Sequence, residues 1–217
     1  MPSRTLRIDP LSPVIGAEVS GVNLAQPLEG GTLAELKAAW AKHLVLFFRD
    51  QELTFEQHKA LGQQFGALHI HPAAPADTAH PEILVVHGDD KVTFVAGSLW
   101  HSDVSCDAEP PMGSILRVVK VPSAGGDTLF ASMYAAFEGL SDHLQRLLAG
   151  LTAVHEGEHY YRGRYGATNL RDGSYPVAEH PLVRTHPVTG RQALYVNEGF
   201  TTRIKDLPGA ESEALLA

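Results

Sequence analysis

Short apolar segments separated by turn residues recur along the chain, and this spacing constrains the fold more than any other feature. Leu6 and Ile8 alternate with polar neighbours, as in a half-buried strand. The longest strongly apolar run, residues 44–48, is far too short to span a bilayer. Strands are predicted at residues 44–48, 83–86, 115–121, 128–132, 151–155, 182–185 and 192–196. Many short strands beside few helices predict a mainly β fold with flanking helices, either a barrel or a double sheet.

A few segments carry helical spacing instead. The first helix is predicted at residues 32–42, with Thr32 as its N-cap. The second is predicted at residues 54–65, where Thr54 and Gln57 have the spacing of a capping box. Further helices are predicted at residues 133–139, at 141–149 and from residue 209 onwards. Residues 69–97 form a long loop rich in Pro, Ala and Asp, and loops of this length in compact domains are usually functional.

Composition narrows the classes of partner. The formal net charge is −8 and the pI is about 5.8, which argues against a nucleic-acid partner because phosphate binding needs a basic surface. No dense cluster of Lys and Arg is present, which argues in the same way against an anionic membrane surface. Cys106 is the single cysteine, so an intramolecular disulfide and a cysteine-rich zinc module are both excluded. These features predict a cytoplasmic protein.

The strongest chemical signal is the tetrapeptide Trp100-His101-Ser102-Asp103. If it forms a strand, His101 and Asp103 point to the same face and can present an imidazole and a carboxylate to one metal ion. Two histidines and one carboxylate on one face of an octahedron leave three open positions, which is the arrangement of non-haem Fe(II) oxygenases. A His-x-Asp tripeptide is also common as a solvent-exposed polar pair, so it leaves both interpretations open.

Six segments in order along the chain resemble the taurine dioxygenase family of Fe(II)- and 2-oxoglutarate-dependent dioxygenases. They are residues 45–51, 65–72, 100–104, 122–128, 180–187 and 195–204. The resemblance implies a double-stranded β-helix (jelly-roll) core flanked by helices. It also implies O2-dependent hydroxylation of a small acidic substrate, coupled to decarboxylation of 2-oxoglutarate to succinate and CO2.

The resemblance assigns cofactor roles to three residues. His101 and Asp103 match the first two iron ligands of the family. Thr128 matches a threonine whose hydroxyl holds a carboxylate of 2-oxoglutarate. A plainer interpretation of Thr128 is a residue that favours strands.

Three further residues match positions around the substrate. His71 matches a histidine that contacts the acidic head of the substrate, Phe200 matches an aromatic residue of the pocket, and Trp100 is expected beside the iron. Phe200 and Trp100 could equally be core aromatics. Residues 154–156 and 160–162 are predicted to supply a lid over the pocket.

The family supplies a second histidine ligand and an arginine for the far carboxylate of 2-oxoglutarate from strands beyond the last helix, and neither is found before Ala217. His180 and His186 belong to the segment that precedes those strands. Two ligands alone make a poor iron site. We therefore expect residues 1–217 to be a single domain that lacks its C-terminal strands, and the natural protein to be longer.

The substrate pocket departs from that of taurine dioxygenase. Ala73 and Ala74 replace an aromatic residue, and residues 97–99 replace a polar amide. A larger and less polar pocket favours alkyl sulfonates, alkyl sulfate esters or aryloxyalkanoates over taurine, with a role in sulfur metabolism for the sulfur-containing substrates. Two other functions stay open: a non-catalytic relative or fragment that only binds an acidic small molecule, and a zinc-dependent hydrolase. A homo-oligomer is expected from family habit.

Overall fold

The structure is a computed structural model, and it describes residues 6–74, 78–88, 97–162 and 173–217. The chain forms two compact units. The first comprises Met1–Leu68, Ile115–Ala135 and Pro187–Thr189. The second comprises His69–Ser114, Ala136–His186 and Gly190–Ala217.

The first unit contains a three-stranded sheet whose order follows the chain. Strand β1 (Arg7–Pro10) pairs antiparallel with β2 (Ala17–Ser20), and β2 pairs parallel with β3 (Leu46–Phe48). A parallel pair needs a crossover, and helix α1 (Gly30–His43) provides it. Helix α2 (Phe55–Phe65) follows β3. The core of this unit is built around three buried leucines, Leu24, Leu53 and Leu61.

Local capping explains where these two helices begin. The Thr54 side chain accepts a hydrogen bond from the Gln57 backbone, and the Gln57 side chain accepts one from the Thr54 backbone, which confirms the predicted capping box of α2. The predicted start of α1 at Thr32 is wrong. The helix begins at Gly30 with Glu29 as the N-cap, because the Glu29 carbonyl already accepts the first intrahelical bond.

Three predicted strands are absent from the described chain. Residues 83–86, 115–121 and 128–132 are irregular. Most of their apolar side chains are exposed, with Val119 at 79% and Leu129 at 71% of full exposure. Apolar, β-favouring composition suggested strands here, but a strand requires a neighbouring backbone to pair with. No strand of the described residues supplies that pairing.

The second unit is built on an antiparallel sheet in which β4 (Thr152–Glu156) lies between β5 (Val177–Pro181) and β8 (Thr201–Ile204). A hairpin of β6 (Val183–Thr185) and β7 (Gln192–Leu194) lies beside it in sequence. The strands predicted near residues 151–155, 182–185 and 192–196 are thereby confirmed. The remaining helices are α3 (Met133–Glu138), α4 (Asp142–Leu148), α5 (Gly157–Tyr161) and α6 (Gly209–Leu216). The described structure therefore contains small sheets flanked by helices.

Strand β4 contains an irregularity that matters for the site. The register with β8 shifts between Val154 and His155, which marks a β-bulge. Ala153, Val154 and His155 are consequently all buried, although a regular strand would alternate. Across the described part of the chain, every helix is too short or too polar to cross a membrane.

Candidate metal centre

His101 and Asp103 come together in the second unit. The Nε2 atom of His101 lies 3.2 Å from Oδ1 of Asp103, and the Ser114 hydroxyl donates to Oδ2 of the same carboxylate. The Asp103 side chain is about half exposed, so a ligand from solvent can reach the pair. The expectation that these residues lie on a strand is wrong, because they lie at the start of a turn.

That turn has an unusual backbone. Val104 is buried and has φ = 52°, a left-handed conformation that β-branched residues rarely adopt. The turn is closed by hydrogen bonds from the Ser105 amide to the Ser102 carbonyl (3.3 Å) and from the Asp107 amide to the Val104 carbonyl (3.0 Å). The reversal of the chain, rather than strand alternation, brings the imidazole and the carboxylate together.

The hydrogen bonds of His101 fix its ring orientation. Its Nδ1 lies 2.8 Å from the Leu99 carbonyl, which can only accept, so Nδ1 carries a proton. The hydrogen bond that His101 Nε2 donates to the Asp103 carboxylate raises the pKa of His101, and the same bond lowers the pKa of the Asp103 carboxyl. A divalent cation can replace that proton and meet one nitrogen and one oxygen donor, so the pair fits a metal site.

Two aromatic rings pack around the His101 imidazole. The Tyr160 ring centroid lies 5.5 Å from that of His101, and the Phe200 centroid lies 6.5 Å away. Tyr160 also accepts a hydrogen bond from the Gly97 amide at 2.8 Å. Phe200 is only 1% exposed and its ring lies close to that of His101. It is therefore a core aromatic and also a neighbour of the candidate metal ligand.

The prediction that residues 154–156 and 160–162 form a lid is wrong for most of them. His155, Tyr160 and Tyr161 are buried, with Tyr160 and Tyr161 in the core that contains Cys106. Trp100 behaves in the opposite way. Its side chain is 51% exposed, and its backbone carbonyl accepts a hydrogen bond from the Gly199 amide.

His71 lies in the same unit as the metal pair. Its ring packs edge-on against Tyr161 with centroids 5.5 Å apart, and its Nδ1 accepts a hydrogen bond from the Ala73 amide at 3.0 Å. Burial lowers the pKa of His71 to about 4. The ring is therefore neutral at pH 7, with its proton on Nε2. Thr128 belongs to the first unit, where it is exposed on an irregular segment.

Two ligands are the most that the described residues bring together. Among them, no group of three His, Cys, Asp or Glu side chains has metal-binding geometry. His180 is engaged elsewhere, because its Nε2 lies 3.0 Å from the Asp107 carbonyl.

The described residues thus present one histidine and one carboxylate together on a turn. The family model described as "Taurine catabolism dioxygenase TauD, TfdA family" matches residues 7–217. The chain belongs to the TauD/TfdA family, which confirms the resemblance found in its motifs.

Named relatives show the range of this family. The chain is 37% identical to the (S)-phenoxypropionate/alpha-ketoglutarate-dioxygenase of Sphingobium herbicidovorans, covering 96% of this chain and 76% of that protein. It is 32% identical to the alpha-ketoglutarate-dependent sulfonate dioxygenase of Saccharomyces cerevisiae, covering 97% of this chain. A crystal structure of a taurine dioxygenase from Burkholderia xenovorans matches with a TM-score of 0.79 and 38% identity, covering 99% of this chain and 70% of that one. The chain spans 56%, 59% and 54% of the lengths of three fungal relatives.

Proposed function

We propose that the chain is the larger part of an Fe(II)- and 2-oxoglutarate-dependent dioxygenase with a jelly-roll core, which hydroxylates a small acidic substrate. The observation that carries this proposal is the convergence of His101 Nε2 and Asp103 Oδ1 at 3.2 Å, with His101 Nδ1 held by a backbone carbonyl. A ligating histidine whose other nitrogen is fixed by a hydrogen bond is typical of protein metal sites. The family relationship selects iron as the metal.

The predicted site residues have separable roles in this proposal. His101 and Asp103 would hold Fe(II), and Thr128 would bind a carboxylate of 2-oxoglutarate. Bound iron and 2-oxoglutarate would supply the O2 chemistry that oxidises a C–H bond. Tyr160 and Phe200 would keep bulk water from one side of His101, because their rings pack against the imidazole.

His71 would orient the acidic head of the substrate. The Ala73 amide fixes the ring at Nδ1, and burial lowers the pKa of His71 to about 4. A positioned imidazole suits the acidic head of a sulfonate, a sulfate ester or a carboxylate. The small residues Ala73 and Ala74 are compatible with a bulky apolar tail. We therefore propose alkyl sulfonates, alkyl sulfate esters or aryloxyalkanoates as the substrate class, and Trp100 as an exposed residue at the metal side.

The test is an anaerobic titration of the 217-residue protein with Fe(II) and 2-oxoglutarate, monitored by the visible metal-to-keto-acid charge-transfer band. Because the described residues supply only two ligands, the band is expected at an excess of iron over protein, and H101A or D103A should abolish it. H143A, which changes an exposed histidine on α4, is the matched control and should keep the band. Absence of the band from the unmodified chain, or its persistence in both ligand variants, would contradict the proposal. Exposure to O2 with a sulfonate and aryloxyalkanoate panel then assigns the substrate from succinate release.

A further inference from the structure

The second unit buries a polar cluster next to the metal-binding turn. Ser105 and His155 are 0% exposed, and His180 is 5% exposed. Together with Ser212, these are the buried polar side chains of the described residues. Burying polar groups is costly unless they are hydrogen-bonded, so three of them in one place call for an explanation.

The Ser105 hydroxyl is the centre of this cluster. The amide nitrogen of Asn197 donates to Ser105 Oγ at 3.0 Å, and His155 Nδ1 lies 3.0 Å from the same oxygen. Because the amide nitrogen only donates, the hydroxyl accepts from Asn197, and it forms a second hydrogen bond with His155 Nδ1. His155 lies directly after the register shift between β4 and β8.

Side-chain contacts restrain the metal-binding turn at both of its ends. Ser105 directly follows Val104, whose φ of 52° persists only if the surroundings impose it. At the other end of the turn, the His180 ring bonds the Asp107 carbonyl, and the His69 ring lies 2.7 Å from the Asp107 carboxylate. The turn is therefore held at both ends by side chains from elsewhere in the unit.

Asn197 connects this cluster to the aromatic residue beside His101. Its Oδ1 accepts a hydrogen bond from the Phe200 amide at 2.9 Å while its Nδ2 donates to Ser105. Gly199, between them, donates to the Trp100 carbonyl. A Cβ at position 199 would lie 3.0 Å from His101 Cβ, so any larger residue there would have to displace the His101 side chain by a few tenths of an ångström.

We propose that Ser105 is a positioning residue for the metal pair. Its buried hydroxyl, fixed between His155 and Asn197, holds the turn in the conformation in which His101 and Asp103 converge. The metal-ligand roles in this inference rest on the proposed function, whereas the restraint on the turn does not. A serine that merely fills the core would affect stability without affecting the turn.

The test compares S105A with S212A. Ser212 is a comparably buried serine of the same unit. Its hydroxyl accepts a hydrogen bond from the amide of Ile204, the last residue of β8, and not from the metal-binding turn. Amide hydrogen exchange of the metal-free protein, read by mass spectrometry, should speed up about tenfold or more at residues 102–107 and 197–201 in S105A only. S212A should instead speed exchange in β8 and α6.

Metal binding provides the second readout. Mn(II) affinity, measured by the loss of the free-ion EPR signal, should fall about tenfold in S105A, as is typical when a supporting partner of a metal site is removed. It should stay within about twofold of wild type in S212A, despite a comparable loss of thermal stability. If S105A leaves both exchange at 102–107 and Mn(II) affinity at the S212A level, the inference is wrong.

Two further outcomes are also decisive. If the unmodified chain does not bind Mn(II), the proposed function fails for this chain, and the exchange comparison alone decides the role of Ser105. If S105A does not fold, N197D takes its place. This variant removes the donor to Ser105 while keeping an oxygen for the Phe200 amide. Faster exchange at residues 102–107 in N197D is the expected result, and exchange there at the S212A level would refute the inference.

Discussion

Replacing His155 should reduce the loss in the free energy of unfolding that occurs when the pH falls from 7 to 5. The ring is fully buried on β4 and stacks on Tyr195, with centroids 5.6 Å apart. Burial, and secondarily the charge of nearby His180, lowers the pKa of His155 from 6.5 to about 4. Its Nε2 meets no hydrogen-bond partner of good geometry among the described residues, so protonation of the folded state finds little compensation.

The sign and size follow from linkage. Between pH 6.5 and 4 the unfolded chain binds a proton at this histidine and the folded chain does not, so the free energy of unfolding falls as the pH falls. Each unit of pKa difference is worth about 1.36 kcal/mol, and the full depression corresponds to about 3 kcal/mol. Between pH 7 and 5 the loss attributable to His155 is about 2 kcal/mol.

H155N isolates this contribution, because an asparagine oxygen can still accept from Ser105 but does not titrate. The variant should be less stable than wild type at pH 7, since it loses the buried ring. The gap should narrow by about 2 kcal/mol at pH 5. His180, whose pKa burial also lowers, and Tyr195 face the same ring and remain in both proteins.

The assay is urea unfolding of metal-free protein followed by the fluorescence of Trp100. A W40F background removes the other tryptophan, which lies in the first unit. S212A serves as the control, because it is destabilised without losing His155, and its gap to wild type should be the same at both pH values. If the difference in the free energy of unfolding between wild type and H155N is also the same at pH 7 and pH 5, the reasoning is refuted.

Three other substitutions test separate parts of the structure. G199A should destabilise the second unit and reduce Mn(II) affinity, because the added Cβ would meet His101 Cβ at 3.0 Å and Tyr160 Cδ2 at 3.1 Å; unchanged EPR titrations would contradict this. T54A should lower the free energy of unfolding by about 1 kcal/mol through loss of the α2 cap, as measured by urea denaturation, with no effect on metal binding. H71A should weaken binding of an alkyl sulfonate to the Fe(II)–2-oxoglutarate complex about tenfold or more by calorimetry, because a hydrogen bond to an anion is lost; equal affinity would remove His71 from the site.

Features set by neighbouring residues were predictable from the sequence. The capping box of α2 needs only Thr54 and Gln57, and it is present. The metal pair is likewise local, because His101 and Asp103 are separated by one residue. The start of α1 was predicted three residues late because Thr32 has a better capping side chain than Glu29, while the observed helix begins without a side-chain cap.

Features that depend on partners were not predictable. The apolar run at 115–121 satisfies the composition of a strand, yet pairing depends on another strand being present beside it. The β4 bulge depends on registers with two different neighbours, so no pattern within residues 152–156 signals that His155 turns inward. Tyr160 and Tyr161 were expected in a lid, but they are buried in a core with the distant residues Val104, Cys106 and Phe200.

The site therefore divides into ligands that are close in sequence and supports that are remote. The bond from His155 to Ser105 joins residues 50 apart, and the bond from Asn197 to Ser105 joins residues 92 apart. In this chain such contacts are made by Ser105, which directly follows Val104 at φ = 52°. The tripeptide alone leaves the choice between ligand and surface pair open, and the proposed role of Ser105 depends on partners that no local pattern reveals.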